Sequence, residues 1–138
     1  MKIVLDTNVL VSGLLRPYSI PGEIVLKVSQ GDLLLCYDVR ILGEYDEVLR
    51  RRHFPFNTAI INLLLDQIKV GGYLVAGSSL SKRLPDPSDE IFLEIAIAGQ
   101  AQYLVTGNLK DFPADKRQGM NVVSPADFLK IYRKESLE

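Results

Sequence analysis

The chain has one cysteine and one histidine in 138 residues, and these scarcities exclude much of the chemistry of sites. A lone Cys36 cannot form an intrachain disulfide, and its place in the run Leu33-Leu34-Leu35-Cys36-Tyr37 makes it a buried structural thiol that fits a reducing cytoplasm. His53 has no serine or cysteine partner in a recognisable motif, so a nucleophile–histidine hydrolase is unsupported. Apolar runs long enough to span a membrane, about 18 residues, are missing. Lys2 leads directly into a short strand-like segment rather than into the long apolar region of a signal peptide. An excess of charge is missing too: Lys+Arg 16 against Asp+Glu 17 gives a net charge of -1, so no global basic field marks a nucleic-acid binder. Only a local patch could do so.

What is present is a core. With 47% hydrophobic and 24% charged residues, the chain reads as a single domain over 1–138, able to fold alone and stay in solution. Lys2 to Leu5 is a short apolar strand, punctuated by Asp6-Thr7-Asn8 before the helical stretch Val9 to Leu15. A helix is predicted over Pro21 to Gln30 and a second strand over Leu33 to Tyr37. An amphipathic helix follows from Val39 to about Arg52, with Ile41, Leu42, Tyr45, Val48 and Leu49 on its apolar face. Asn57 can cap a helix to Lys69; Gly71-Gly72 then releases a strand over Tyr73 to Ala76. Gly77 to Pro87 reads as a loop, and Ser88 as the cap of a buried helix through Gln100. Strands over Gln102 to Thr106 and Met120 to Val123 precede a helix opened by Ser124-Pro125, with Lys134 to Glu138 as a frayed tail. Short apolar strands separated by helices predict an α/β fold, a three-layer α/β/α domain with a central parallel sheet.

In such a sheet, ligands bind beyond the carboxyl ends of the strands, where the strand order reverses. Asp6 follows the first strand, and Asp111 lies a few residues beyond the strand ending at Thr106. Glu44 belongs to the helix after the second strand, and Asp89 to the first turn of the buried helix. Four carboxylates from four segments can therefore converge on one edge, where their mutual repulsion calls for a cation. An all-oxygen donor set selects a hard ion, Mg²⁺ or Mn²⁺ rather than zinc. Phosphodiester hydrolysis is the chemistry such a site performs best.

Each acid also has a structural reading. Asp6 suits a helix cap, and Glu44 can pair with Arg40 at i,i+4. Asp89 suits the positive end of a helix dipole, with Asp86 competing for its role, and Asp111 can shape a turn. The set carries the functional claim; no single member does.

The residues Ile3-Val4-Leu5-Asp6-Thr7-Asn8-Val9-Leu10-Val11-Ser12, then Glu44, Asp89 ahead of Ala96, and Thr106-Gly107-Asn108 with Asp111-Phe112, resemble the PIN-domain family across essentially the whole chain. The similarity is closest to single-domain VapC-like toxin components of toxin–antitoxin systems. It implies a Mg²⁺- or Mn²⁺-dependent endoribonuclease, usually a homodimer, with an antitoxin protein as partner; the missing long apolar run is what predicts no membrane association. Asp6, Glu44, Asp89 and Asp111 match the catalytic and metal-binding acids. Thr7, Asn8, Asp86, Thr106 and Asn108 stand as supporting residues. Asn108 occupies a position where the family also places Asp, so metal number stays open between one and two.

Of the basic groups, Lys110 lies inside the acidic motif and is the one read as touching RNA; Arg50-Arg51-Arg52, Lys82-Arg83 and Lys116-Arg117 are read first as solvated charge. A dinucleotide-binding fold is excluded by the missing Gly-rich turn after the first strand. The remaining alternative is a PIN-like module that binds RNA or a protein without turnover.

Overall fold

The computed structural model describes residues 1–137. Its strands are β1 (Lys2–Leu5), β2 (Leu34–Tyr37), β3 (Tyr73–Leu74), β4 (Tyr103–Val105) and β5 (Val122–Val123). The α-helices are α1 (Thr7–Leu15), α2 (Ile20–Ser29), α3 (Val39–Leu49), α4 (Thr58–Gly71), α5 (Glu90–Ala98) and α6 (Pro125–Ser136). Every strand pair is parallel, in the order β3-β2-β1-β4-β5. Strand order therefore reverses between β1 and β4, which pair from Ile3↔Tyr103 to Leu5↔Val105.

The central strand explains its own composition: Ile3, Val4 and Leu5 are fully buried because helices cover both sheet faces, so no polar alternation is needed. On one face α2 touches both α4 and α6; α5 packs on β1, β2 and β4 from the other. These contacts make the three-layer α/β/α arrangement. Cys36 is buried in the core, as its apolar setting predicts. Helices α1 and α2 meet at 100°, and at their contact a side chain on Gly22 would collide with the Pro17 and Arg16 carbonyls. No single helix among the described residues is long and apolar enough to cross a membrane.

Several boundaries differ from the sequence expectation, each for a local reason. Helix α2 begins at Ile20 because the Ser19 hydroxyl accepts from the Gly22 N–H at 3.1 Å. Helix α3 stops at Leu49 rather than Arg52, since the chain turns through an Arg51 N–H to Val48 carbonyl bond that carries Phe54 onto the core. Strand β3 is two exposed residues, not four, at an edge paired only with β2. Ser88 is not the cap of α5. It lies within a 3-10 turn, Pro87–Asp89, whose cap is Asp86, and α5 proper starts at Glu90. At the other end α6 runs to Ser136, through most of the stretch read as a frayed tail; Glu138 lies outside the described residues.

The helix α4 uses Ile61, Leu64, Leu65 and Ile68 for the core, while Ile60 and Leu63 face outward. The crossover from β4 to β5 contains no α-helix. Two 3-10 turns, Leu109–Asp111 and Ala114–Lys116, fill it instead, and the first of them carries an acid to the sheet edge.

Candidate active site

The β1/β4 reversal point is where a parallel sheet opens a crevice at its carboxyl edge, and here two polar residues leave the sheet side by side. Asp6 follows β1 and Thr106 follows β4; both are buried, and the Thr106 hydroxyl donates to Asp6 Oδ2 at 2.8 Å. Asp6 occupies the cap position of α1 without a side-chain capping hydrogen bond, with its carboxylate beside the first amides of the helix. Burial pushes its pKa up, with Asp111 adding to the rise; the Thr106 hydroxyl and the Asn8 and Thr7 amides pull the other way.

Glu44 sits on the edge of the buried face of α3. Its neighbour is not Arg40, which pairs instead with Asp38 at 2.7 Å and Glu94 at 3.4 Å. The Thr7 hydroxyl donates to Glu44 Oε2, joining α1 to α3 directly beside Asp6. Tyr45, the next residue along, is fully buried and donates to the Leu5 carbonyl at 2.5 Å. Its phenol is pushed well above the ordinary value by burial, and the negative charges of Asp6 and Glu44 add to that.

Asp111 lies in the 3-10 turn beyond β4. The Asn108 side-chain amide donates to Asp111 Oδ2 at 2.7 Å, and the Asn108 N–H donates to the Thr106 hydroxyl at 3.1 Å. An aspartate at 108 could accept but not donate, so asparagine here orients the neighbouring acid. Thr106 thus stands between two chains of bonds, one to Asp6 and one through Asn108 to Asp111.

Asp89 approaches from the opposite layer, at the end of the turn leading into α5. Its pKa is raised to about 7 by burial first, then by the charges of Asp6, Asp111, Asp86 and Glu44. That list of neighbours is the convergence of acids expressed as electrostatics. Asp86 itself is exposed and committed to the Ser88 N–H and hydroxyl, both at 2.9 Å, which lower its pKa. Lys110 is exposed in the same turn as Asp111.

The other basic groups are largely engaged with the protein itself. Arg50 and Arg51 reach back one helical turn to Asp46 and Glu47, Lys82 Nζ donates to the Asp115 carbonyl, and Arg117 Nε to the Phe112 carbonyl.

None of the ion pairs among the described residues involves Asp6, Glu44, Asp89 or Asp111. The edge is therefore a concentration of negative charge without a protein counter-ion, and its donors are all oxygen, the set that a hard divalent cation prefers. Among the described residues no three Asp, Glu, His or Cys side chains stand close enough together to hold an ion as placed.

Two residues that shape the site escaped the sequence reading. Glu90 is a buried acid whose carboxylate accepts from the Leu84 N–H at 2.9 Å and from Arg83 Nε at 3.0 Å, closing the loop that ends at Asp89. Its signal was visible: an acid one step inside an apolar helix. Gln118 adopts a left-handed backbone, φ 55°, and its side chain accepts from both the Ser81 N–H and hydroxyl, tying the same loop to the β4–β5 crossover. Nothing in the sequence pattern announces that contact.

Residues 2–110, well over half of the chain, match the family model for the PIN domain. No curated protein and no solved structure matches the chain.

Proposed function

Because the chain belongs to the PIN-domain family, a family of nuclease-type domains that typically use divalent metal ions, we propose that it is a Mg²⁺- or Mn²⁺-dependent endoribonuclease. The observation that carries this reading is geometric: at the edge where the strand order reverses, Asp6, Glu44 and Asp111 each accept from an uncharged side chain, Thr106, Thr7 and Asn108, and none of the three is in an ion pair among the described residues. The charges of Asp6, Asp111, Asp86 and Glu44 around Asp89, which add to the rise of its pKa, support it.

Asp6, Asp89 and Asp111 would hold one or two ions, with Glu44 either completing the donor set or orienting the attacking water. An ion held there would supply charge stabilisation at the phosphoryl oxygen and an activated water. The chain's own groups prepare this arrangement. Thr106 fixes the rotamer of Asp6, Thr7 that of Glu44 and Asn108 that of Asp111, so three carboxylates are aimed by donors that carry no charge of their own. In-line attack by water leaves a 5′-phosphate and a 3′-hydroxyl. Lys110, exposed beside Asp111, is the cation that meets the RNA backbone.

Within this reading the protein is the VapC-like toxin of a cytoplasmic toxin–antitoxin pair, a homodimer with an antitoxin as partner. The exposed apolar side chains of α4, Ile60 and Leu63, support such a contact.

The decisive experiment is cleavage of a mixed panel of tRNA, rRNA and mRNA fragments in Mg²⁺, Mn²⁺ or EDTA, with Asp6→Asn as control. Cleavage that requires the ion and Asp6, leaving 5′-phosphates, is the expected outcome. Metal-independent cleavage giving 2′,3′-cyclic ends would overturn the mechanism, because the attacking group would then be the RNA's own 2′-hydroxyl. Ion binding with no cleavage of any RNA would reduce the chain to a non-catalytic PIN module.

A further inference from the structure

Beside the acids, on the side away from Asp89, lies a cleft of about 360 Å³ between the start of α1, the first turns of α2 and α6, and the loop after β4. Its lining is of a different character from the acidic edge. No Lys, Arg, His, Asp or Glu is among the residues that form it. The helix starts that face it also offer little to an anion. Pro21 and Pro125 sit in the first turns of α2 and α6, where a proline has no N–H to give. The Ser19 and Ser124 hydroxyls already accept from the Gly22 and Asp127 N–H groups of those turns. A phosphate therefore finds neither a cation nor a free cluster of amides here, and a carboxylate finds none either.

What the cleft does offer is two proline rings, Val9 and three neutral polar side chains, of which Asn108 is bonded to Asp111 while Asn8 and Ser12 face the cleft from α1. Asn8 and Ser12 stand at i,i+4 on α1, so they share one face, and both are exposed to the cleft. An amide and a hydroxyl provide donors and acceptors for the edge of a planar heterocycle, and apolar rings provide surfaces for its faces. At about 360 Å³ the volume is at the low end of small-molecule sites, roughly 300–1,000 Å³, so it takes one base and its ribose rather than a base pair.

Gly107 joins this cleft to the acids. It follows Thr106, the residue bonded to Asp6, and precedes Asn108, the residue bonded to Asp111. A Cβ built on it meets no protein atom within 4 Å, and its backbone is not left-handed. The fold does not need a glycine at that position, whereas an open passage between the acids and the cleft does.

We propose that this cleft is a base-binding subsite, which takes the unstacked nucleobase next to the scissile phosphate of a single-stranded RNA. The inference rests on the nuclease reading of the acidic edge and adds to it a place for one nucleobase beside the acids.

The test separates the two readings by measuring binding without cleavage. A short single-stranded RNA carries 2-aminopurine at successive positions, and its fluorescence is followed on titration with wild type, Ser12→Leu and Gly107→Ala in Ca²⁺, a hard cation that compensates the acids, with gels run in parallel to show that the RNA stays intact. Ser12→Leu fills the cleft from an exposed helix position, and Gly107→Ala narrows the passage without an intramolecular clash; thermal melts establish that each is folded. The expected result is a fluorescence change at one register only. Affinity should fall about 2- to 10-fold in Ser12→Leu, and in the same direction for wild type when the base at that register is replaced by an abasic ribose. Equal responses at all registers, or unchanged affinity in both folded variants, would overturn the subsite. A chain that shows the register-specific signal but cuts no RNA in Mg²⁺ or Mn²⁺ would retain the subsite and lose the nuclease.

Discussion

The Tyr45 hydroxyl donates to the Leu5 carbonyl across 2.5 Å, inside the core. Tyr45 is one residue after Glu44 on α3, and Leu5 one residue before Asp6 at the end of β1. A single buried bond thus fixes the backbone segments that carry two of the acids. Tyr45→Phe keeps the ring and removes the donor, leaving a carbonyl oxygen in an apolar setting. The expected cost is about 1–3 kcal/mol, read as a fall of several degrees in the thermal midpoint. Cleavage should drop further than in Val28→Ala, a core variant remote from the acids with comparable loss of stability. Equal activities at matched stability would assign Tyr45 to the core alone.

Asp89 makes the stability of the metal-free protein depend on pH. An acid whose pKa is raised on folding, here from 3.8 to about 7, binds its proton more tightly in the folded state. Its contribution is therefore fully favourable below the unfolded value, declines as pH rises between the two values, and is lost above about 7. Asp89→Asn removes the titration. In EDTA the midpoint of Asp89→Asn minus that of wild type should be near zero at low pH and grow to a plateau above neutrality. Added Mn²⁺ should then raise the wild type more than the variant. A difference that stays flat from acid to neutral pH would contradict the charge crowding at this edge.

The sequence reading reached the sheet and the layer arrangement because each left a strong local mark. Unbroken apolar strands require covered faces, and Asp6-Thr7-Asn8 interrupts such a strand at its carboxyl end. What it could not reach was set by contacts between distant segments. Glu44 and Arg40 have the spacing of a helix ion pair, yet Thr7 and Glu94 claim the two side chains from other elements. Ser88 has the chemistry of a cap, but Asp86, two residues earlier, takes the helical turn first through Pro87. The role of Asn108 as a donor to Asp111 depended on a rotamer, and the neutral cleft beside it on the assembly of four segments.

Glu90 separates charge from shape in the loop that delivers Asp89. Its carboxylate accepts from the buried Leu84 N–H and from Arg83, whose side chain is 77% exposed. The first bond closes the loop; the second, at the surface, contributes little. Glu90→Gln retains an acceptor for Leu84 and is expected to cleave RNA nearly as well as wild type. Glu90→Ala strands that N–H, at a cost of about 1–3 kcal/mol, and lets the loop open. Amide hydrogen exchange over residues 77–87 should accelerate in the alanine variant alone, together with loss of cleavage. Matching behaviour of the two variants would place the function of Glu90 in its charge.

Gly43 stands in the middle of α3, immediately before Glu44, at a position where a Cβ would meet nothing within 4 Å. Glycine inside a helix costs roughly 0.5–1 kcal/mol relative to alanine, because the unfolded chain gives up more freedom. The residue is exposed, and its open side faces a shallow groove between α3 and α4 rather than the acidic edge. Gly43→Ala should therefore raise the denaturation free energy by that amount and leave RNA cleavage unchanged, since the helix already holds Glu44 through Tyr45 and Thr7. Chemical denaturation with parallel cleavage assays checks both halves. Higher stability with impaired cleavage would mean that α3 must flex at Gly43 for Glu44 to work, and that the fixed geometry derived from Tyr45 is incomplete.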